Sequence, residues 1–292
     1  MNLRIAAIVA LIFSHTTLIA QRDSTVLVFN KPKSFSFITN VPGEIGQLVK
    51  QPFQKRNLKA TALIAGTTAV LVAFDQPIYN GVRQLADNIH LKPSERNKIL
   101  WSVKTGGKKT VLIKTPRNLN TAFYMMGEGI PTILIAGGLF IQGKINNDYR
   151  SLQTASDLSE SFITLGVTTQ IAKWISGREN PIVASQRNGA WRPFAPLKDF
   201  QNNKPRYDAF PSGHLATMMA TVTILANNYP EKKWIKPVGY SLMALTSFAM
   251  INNGVHWIGD YPIGIALGYL SGKIITDRHK KKYNINTSLS GF

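Results

Sequence analysis

Cysteine is absent from this 292-residue chain, so no disulfide staples it and its stability comes from packing. Acidic residues are scarce as well. Fifteen Asp and Glu stand against 34 Lys and Arg, a formal net charge of +19. A surplus of that size favours a polyanionic partner: nucleic acid, an anionic lipid surface or a phosphorylated substrate. Zinc-finger spacing and an aromatic-basic RNA motif are both missing, which argues against nucleic acid. "GGKKT" at 106–110 lacks the glycine and Lys-Ser/Thr spacing of a P-loop. Apolar runs long enough to cross a bilayer are scarce as well. Several of the apolar stretches are nearer 12–17 residues than the ~20 that hydrocarbon requires.

What is present is a chain of apolar segments. Hydrophobic residues make up 44% of it, against a mean hydropathy of −0.04, enough for a substantial core. "MNLRIAAIVALIFSHTTLIAQ" reads as a secretory leader: Arg4 is a small basic region, Ile5–Phe13 an apolar one, and "LIA" before Gln21 offers a small-residue cleavage site. The alternative is an uncleaved N-terminal anchor. Residues 1–20 are thus expected to be a signal peptide, placing the protein outside the cytoplasm, on the periplasmic side of a bacterial membrane.

Residues 21–118 read as an N-terminal extension. It has one β-like stretch ("STVLVFN"), one apolar helix ("LKATALIAGTTAVLVAF", 58–74) and a polar, basic surface segment with Lys104, Lys108, Lys109, Lys114 and Arg117. From residue 119 to 278 apolar runs recur at about 121–143, 160–175, 214–228, 236–252 and 261–276. This predicts a mainly α fold, a helical bundle of about six core helices. Its helices either span a membrane with tilt and polar ends, or pack as a bundle hydrophobic all round; we read it as membrane-embedded or membrane-associated. Residues 279–292 are expected to be a basic, flexible tail.

Three places carry chemistry, each at an end of an apolar run. In "AFPSGHLATMMA", Ser212 is a candidate N-cap for the helix that follows. The first N–H groups of a helix lack internal partners and the dipole there is positive, so Ser212, Gly213 and His214 can direct donors at an anion. Gly213 lets that anion approach the backbone. In "GVHWIGDYP", His256 and Asp260 are four apart, a spacing that lets the carboxylate fix one imidazole nitrogen and free the other. Pro262 places a kink or a helix start near Asp260. In "IAKWISGRENP", Lys173 lies in the last helical turn before Gly177, a candidate C-cap. There Lys173 either complements the negative helix end or converges with Arg178 on a dianion.

Taken in order, Lys-x4-Arg-x2-Pro, Pro-Ser-Gly-His and Gly-Val-His-x3-Asp resemble the type 2 phosphatidic acid phosphatase superfamily, which also includes bacterial acid phosphatases and vanadium haloperoxidases. The resemblance covers roughly residues 119–278. The middle motif matches fully. In the first motif Asn180 stands where the family has an arginine, with Arg178 two residues earlier; in the third, Ala249 and Met250 stand in place of Ser-Arg. Arg187 and Arg192 are further candidate replacements.

The resemblance implies a metal-independent phosphatase that needs no cofactor. It would cleave phosphate monoesters or diphosphates, of phosphorylated lipids or small phosphate esters, at an anionic membrane surface. His256 would be the nucleophile that becomes phosphohistidine, Asp260 its orienting carboxylate, and His214 the general acid and base. Lys173, Arg178, Ser212 and Gly213 would bind the phosphate. Two other readings are a degenerate, non-catalytic anion- or lipid-binding membrane protein, motivated by the missing arginines, and a vanadate-dependent haloperoxidase.

Overall fold

Breaks in the apolar pattern become helix ends wherever a residue can adopt the left-handed backbone or supply a cap. The computed structural model of the chain describes residues 25–93, 98–105, 108–279 and 281–284. Eleven α-helices occur among them: α1 (Ser36–Thr39), α2 (Val41–Lys50), α3 (Leu58–Ala73), α4 (Asp75–Asn88), α5 (Leu119–Met126), α6 (Ile130–Asn146), α7 (Tyr149–Ser176), α8 (Leu197–Asn202), α9 (Gly213–Asn228), α10 (Ile235–Asn253) and α11 (Tyr261–His279). The mainly helical class expected from the sequence is what the structure shows.

Two units make up the chain. In the smaller, strands β1 (Thr25–Val28) and β4 (Lys281–Asn284) pair antiparallel, with Thr25 opposite Asn284. The sequence reads residues 281–284 as part of a flexible tail; they form a strand because "TVLV" supplies a partner. The larger unit, Phe29–Lys280, holds all the described helices and a hairpin of β2 (Lys98–Thr105) and β3 (Lys108–Thr115). That hairpin lies in the polar segment expected at the surface, where Lys104 and Arg117 are exposed. The side chains of Lys108, Lys109 and Lys114, the leader at 1–20 and residues 285–292 lie outside the described residues.

Helix boundaries differ from the apolar runs in instructive ways. The run at 121–143 is two helices, α5 and α6, bent by 59° at Gly129, whose φ is +83°. The run at 160–175 is the second half of α7, which starts eleven residues earlier at Tyr149. Its first half is polar and buried: Ser151, Gln153, Thr154, Asp157 and Glu160 all face inward. Reading by apolar runs misses such a helix. Buried polar groups must find partners, and these do. Gln153 and Asn228 donate to Asp157 at 2.8 and 2.9 Å, and Arg278 donates to Glu160 at 2.5 Å. Glu44 of α2 accepts from Thr164 (2.7 Å) and Ser271 (2.5 Å).

The N-terminal extension likewise holds four helices where the sequence shows one. α3 is apolar apart from Lys59 and three threonines, but α2 and α4 are amphipathic and bury only one face: Val41, Glu44 and Leu48 from α2, Asp75 and Ala86 from α4. No single described helix is long and apolar enough to cross a membrane, although α3 with α4 and α5 with α6 reach that length as bent pairs. On α6, Ile133, Leu134, Phe140, Ile141 and Ile145 are more than half exposed.

α9 lies at the centre, against α7, α10 and α11. Its contact with α11 is backbone on backbone. A Cβ added at Gly264 or Gly268 of α11 would collide with the carbonyl of Ser212 or Ala216 respectively. Gly268→Ala should therefore force α11 off α9 and cost about 1–3 kcal/mol, as overpacking does. Gly137 of α6 has open space around it, with nothing within 4 Å of where a Cβ would sit, so Gly137→Ala should be neutral or stabilising by up to ~1 kcal/mol. Urea denaturation of the two variants beside wild type measures the contrast.

Candidate active site

His214 opens the site because Ser212 ends the preceding loop. The Ser212 side chain caps α9, its Oγ accepting the Leu215 N–H at 3.5 Å, which places His214 on the first helical turn. Its ring is 5.0 Å from that of Tyr124 and 5.7 Å from that of His256, to which it is nearly perpendicular at 78°. Gly127 is forced by this packing, since a Cβ there would lie 2.8 Å from His214 Cβ. His214 Nε2 is buried without a hydrogen-bond partner. Burial, then the charges of His256 and Lys173, hold His214 well below the ordinary histidine range.

His256 comes from the irregular stretch after α10, whose end is set by Gly254 in the left-handed conformation (φ +70°). Its Nδ1 lies 2.6 Å from the Ala209 carbonyl and 3.4 Å from Asp260 Oδ2. A carbonyl can only accept, so the proton sits on Nδ1 and the Nε2 lone pair is left for chemistry. Burial, followed by the charge of Lys173, lowers the His256 pKa to about 3; the ring is neutral at physiological pH. His256 and Asp260 do not share an α-helix. A 3-10 turn, Ile258–Asp260, joins them, and α11 starts at Tyr261 with Pro262 in its first turn. The turn is closed by the Trp257 N–H, which donates to Asp260 Oδ2 at 2.7 Å.

Lys173 and Arg178 flank the end of α7, which Gly177 caps with φ +55°. Lys173 is buried, its Nζ 3.7 Å from Asp208 Oδ2, and its charge reaches both histidines. Arg178 is wholly buried. Its Nη1 donates to Asp260 Oδ1 at 2.5 Å, while Nη2 pairs with Asp75 Oδ2 and donates to the Asn188 carbonyl at 2.9 Å. The rings of Trp191 and Trp257 cover the guanidinium at 4.8 and 5.6 Å.

Among the residues named from the sequence, the structure brings Lys173, His214 and His256 together, joins His256 to Asp260, and sets Ser212 beside them through its N–H, which donates to the Asp260 carbonyl at 3.0 Å. Gly213 adjoins Thr169, whose Oγ1 lies 3.6 Å from where its Cβ would be. Arg178 belongs to this group through Asp260 and Asp75. Of the other arginines, Arg192 is paired with Glu179 and donates to Ser185 at 3.1 Å, and Arg187 is exposed. Asn180 is buried with Oδ1 unpartnered; Met250 is fully buried, its sulfur 3.8 Å from Ser212 Oγ. Sequence reasoning missed Asp75, Asp208, Tyr124 and the Ala209 carbonyl. A carboxylate directly after a 16-residue helix without charge beyond Lys59 was the one signal for Asp75.

Burial raises Asp75 to about 6 and Asp260 to about 7, against the opposing charge of Arg178. Arg178→Met should leave two facing carboxyls with no cation and cost about 3–5 kcal/mol. The sign with pH follows. A carboxyl whose folded pKa lies above its unfolded value near 4 favours the folded state when protonated and opposes it as pH rises. The stability deficit of Arg178→Met should thus be smallest near pH 4–5 and grow through pH 7, which denaturation at pH 5 and pH 8 checks.

With this geometry in place, comparison with known proteins is informative. A 68-residue stretch is 34% identical to "Lipid A 1-phosphatase" of Porphyromonas gingivalis, covering 23% of this chain and 15% of that relative's length. No solved structure gives a significant match. Residues 155–283, the stretch that contains Lys173, Ser212, His214, His256 and Asp260, match the PAP2 superfamily, in agreement with the resemblance carried by the three motifs.

Proposed function

We propose that this chain is a metal-independent lipid phosphatase that works through a phosphohistidine. One observation carries the reading: the rings of His214, on the first turn of α9, and His256 lie 5.7 Å apart and nearly perpendicular, and His256 has its Nδ1 tied to the Ala209 carbonyl. That tie aims the His256 Nε2 lone pair outward. His256 Nε2 attacks phosphorus in line, forming a P–N bond as the P–O bond to the leaving alkoxide breaks. His214 gives that alkoxide a proton. A phosphate dianion beside the ring raises its proton affinity, so substrate binding itself charges His214 for this step. In the second half-reaction His214 takes a proton from water, the water oxygen attacks phosphorus, and the P–N bond breaks to return His256. Asp260 steadies the charged ring between the two steps.

Lys173 and the N–H groups at the start of α9 are the donors for the non-bridging oxygens. Arg178, with its terminal nitrogens on two carboxylates and a carbonyl, serves through Asp260. The lipid class is supported by the relative's name, by the net charge of +19 and by the exposed apolar face of α6. Those two surface properties suit an anionic membrane, and with the leader pattern they favour its periplasmic side. A cavity of about 720 Å³ lies along residues 152–163 of α7, at least ten residues from Lys173 and so about 15 Å or more along the helix; it is separate from the histidines.

A second reading has its own observation. Asn180 and Met250 leave two of the superfamily's arginine positions without charge, which suits an anion- or lipid-binding protein that does not turn over. Phosphate release from lipid and soluble phosphates in excess chelator separates the two. On the phosphatase reading His256→Ala lowers release to background and His214→Ala lowers it about 10²–10⁴-fold. Folded wild type that releases nothing above the variants, yet binds inorganic phosphate or vesicles carrying phosphorylated lipid, would establish the binding reading.

A further inference from the structure

Asp75 lies outside the stretch that matches the family, on the first residue of α4, yet it is wholly buried. Both of its oxygens are used. Oδ2 pairs with Arg178 Nη2, and Oδ1 accepts the Gly259 N–H at 2.8 Å. Gly259 is in the turn that carries Asp260, and the fit there is close: a Cβ at Gly259 would lie 2.7 Å from Val72 Cγ2 and 3.1 Å from Asp75 Oδ2. Asp75 therefore grips the site twice, once through the backbone of the Asp260 turn and once through the cation that Asp260 shares. From Asp75 the line runs through Arg178 to Asp260 Oδ1, and from Asp260 Oδ2 to His256 Nδ1 at 3.4 Å.

We propose that Asp75 is a positioning residue for His256: it holds Arg178 and the Gly259 turn so that Asp260 and the Ala209 carbonyl keep the imidazole in its Nδ1–H form. The activity arm of this inference rests on the phosphatase reading; the tautomer arm does not. Arg178 has two anions to serve, and Asp75 takes part of its charge. Without Asp75 the guanidinium would be drawn wholly to Asp260, so Asp260 becomes a poorer acceptor for His256 Nδ1–H. Asparagine cannot substitute. It offers one acceptor and one donor where the site presents two N–H donors, so an amide N–H would face either Gly259 N–H or Arg178. The other charged or titratable groups around this line are Lys173 at the end of α7, Asp208 in the segment before α9, Tyr261 at the start of α11 and His214 on α9.

The test is histidine-selective ¹⁵N spectroscopy and phosphate-release kinetics on the purified full chain, as wild type, Asp75→Asn and Asp75→Glu. Wild type should show His256 as a single Nδ1–H tautomer. Asp75→Asn should show a mixture of tautomers, a kcat lower by about 10–10²-fold with KM within about twofold, and an acid limb moved to lower pH. Asp75→Glu keeps the charge but displaces it by one methylene, and should change the spectrum less in the same direction. A folded Asp75→Asn with unaltered His256 signals, kcat and pH profile overturns the proposal. If Asp75→Asn does not fold, Asp75→Glu decides alone, and failure of both to fold assigns Asp75 a structural role only and overturns it. Wild type without phosphatase activity, but with a His256 tautomer that depends on Asp75, would defeat the phosphatase reading and leave this one standing.

Discussion

A single guanidinium, Arg178, sets the geometry of this protein's centre. Three charges are buried together there: Arg178, Asp75 and Asp260, none with any exposure. Removing charges from water is tolerated only where each finds a partner of opposite sign in good geometry. Here that requirement ties three parts of the chain to one point: the start of α4, the loop after α7 and the turn before α11. The backbone follows. Ala209 N–H donates to the Arg178 carbonyl at 3.0 Å, and the carbonyl of the same Ala209 receives the His256 Nδ1–H. Ser212 N–H donates to the Asp260 carbonyl, so the cap of α9 is referred to the same cluster. Both histidines are thus placed by a group that touches neither of them.

The second consequence is electrostatic. Because Arg178 is largely balanced by carboxylates, Lys173 is the leading positive charge at His256, with Arg178 a smaller one. His256 is buried and His214 half-buried with its Nε2 enclosed, both lie near a cation, and both are driven toward the neutral form. Neutral imidazole is the form a nucleophile and a base require. On the proposed reading, a dianion here would give the buried Lys173 a further partner and raise the proton affinity of His214. Asn180 and Met250 mark where this site departs from the superfamily it resembles: an amide and a thioether stand at the positions where the resemblance leads one to expect arginine, and Met250 packs into the apolar core with Leu215 and Tyr261.

The bundle around the site inverts the usual distribution. Inside, α7 presents Asp157 and Glu160 to partners on α9 and α11, and Glu44 reaches in from α2. Outside, α6 exposes Ile133, Leu134, Phe140 and Ile145. Exposed apolar side chains gathered on one helix are the kind of surface that lipid or another protein covers.

Local signals were legible in the sequence because they depend on a few consecutive residues. Ser212 caps α9, Gly177 caps α7, Pro262 sits in the first turn of α11, and the mainly helical class follows from the apolar runs. The order of Lys173, His214, His256 and Asp260 gave the resemblance to the superfamily for the same reason, since motifs of that kind are short and contiguous. Other features were illegible because they depend on distant partners. The polar half of α7 falls between the apolar runs, and nothing marks it as buried until Glu44, Asn228 and Arg278 are set against it. α2 and α4 go unmarked because a helix that buries one face leaves no apolar run. Asp75 and Arg178, 103 residues apart, carry no pattern that links them. Whether Arg178 faces substrate or a carboxylate is a question of which charges are buried together, and only the tertiary structure decides that.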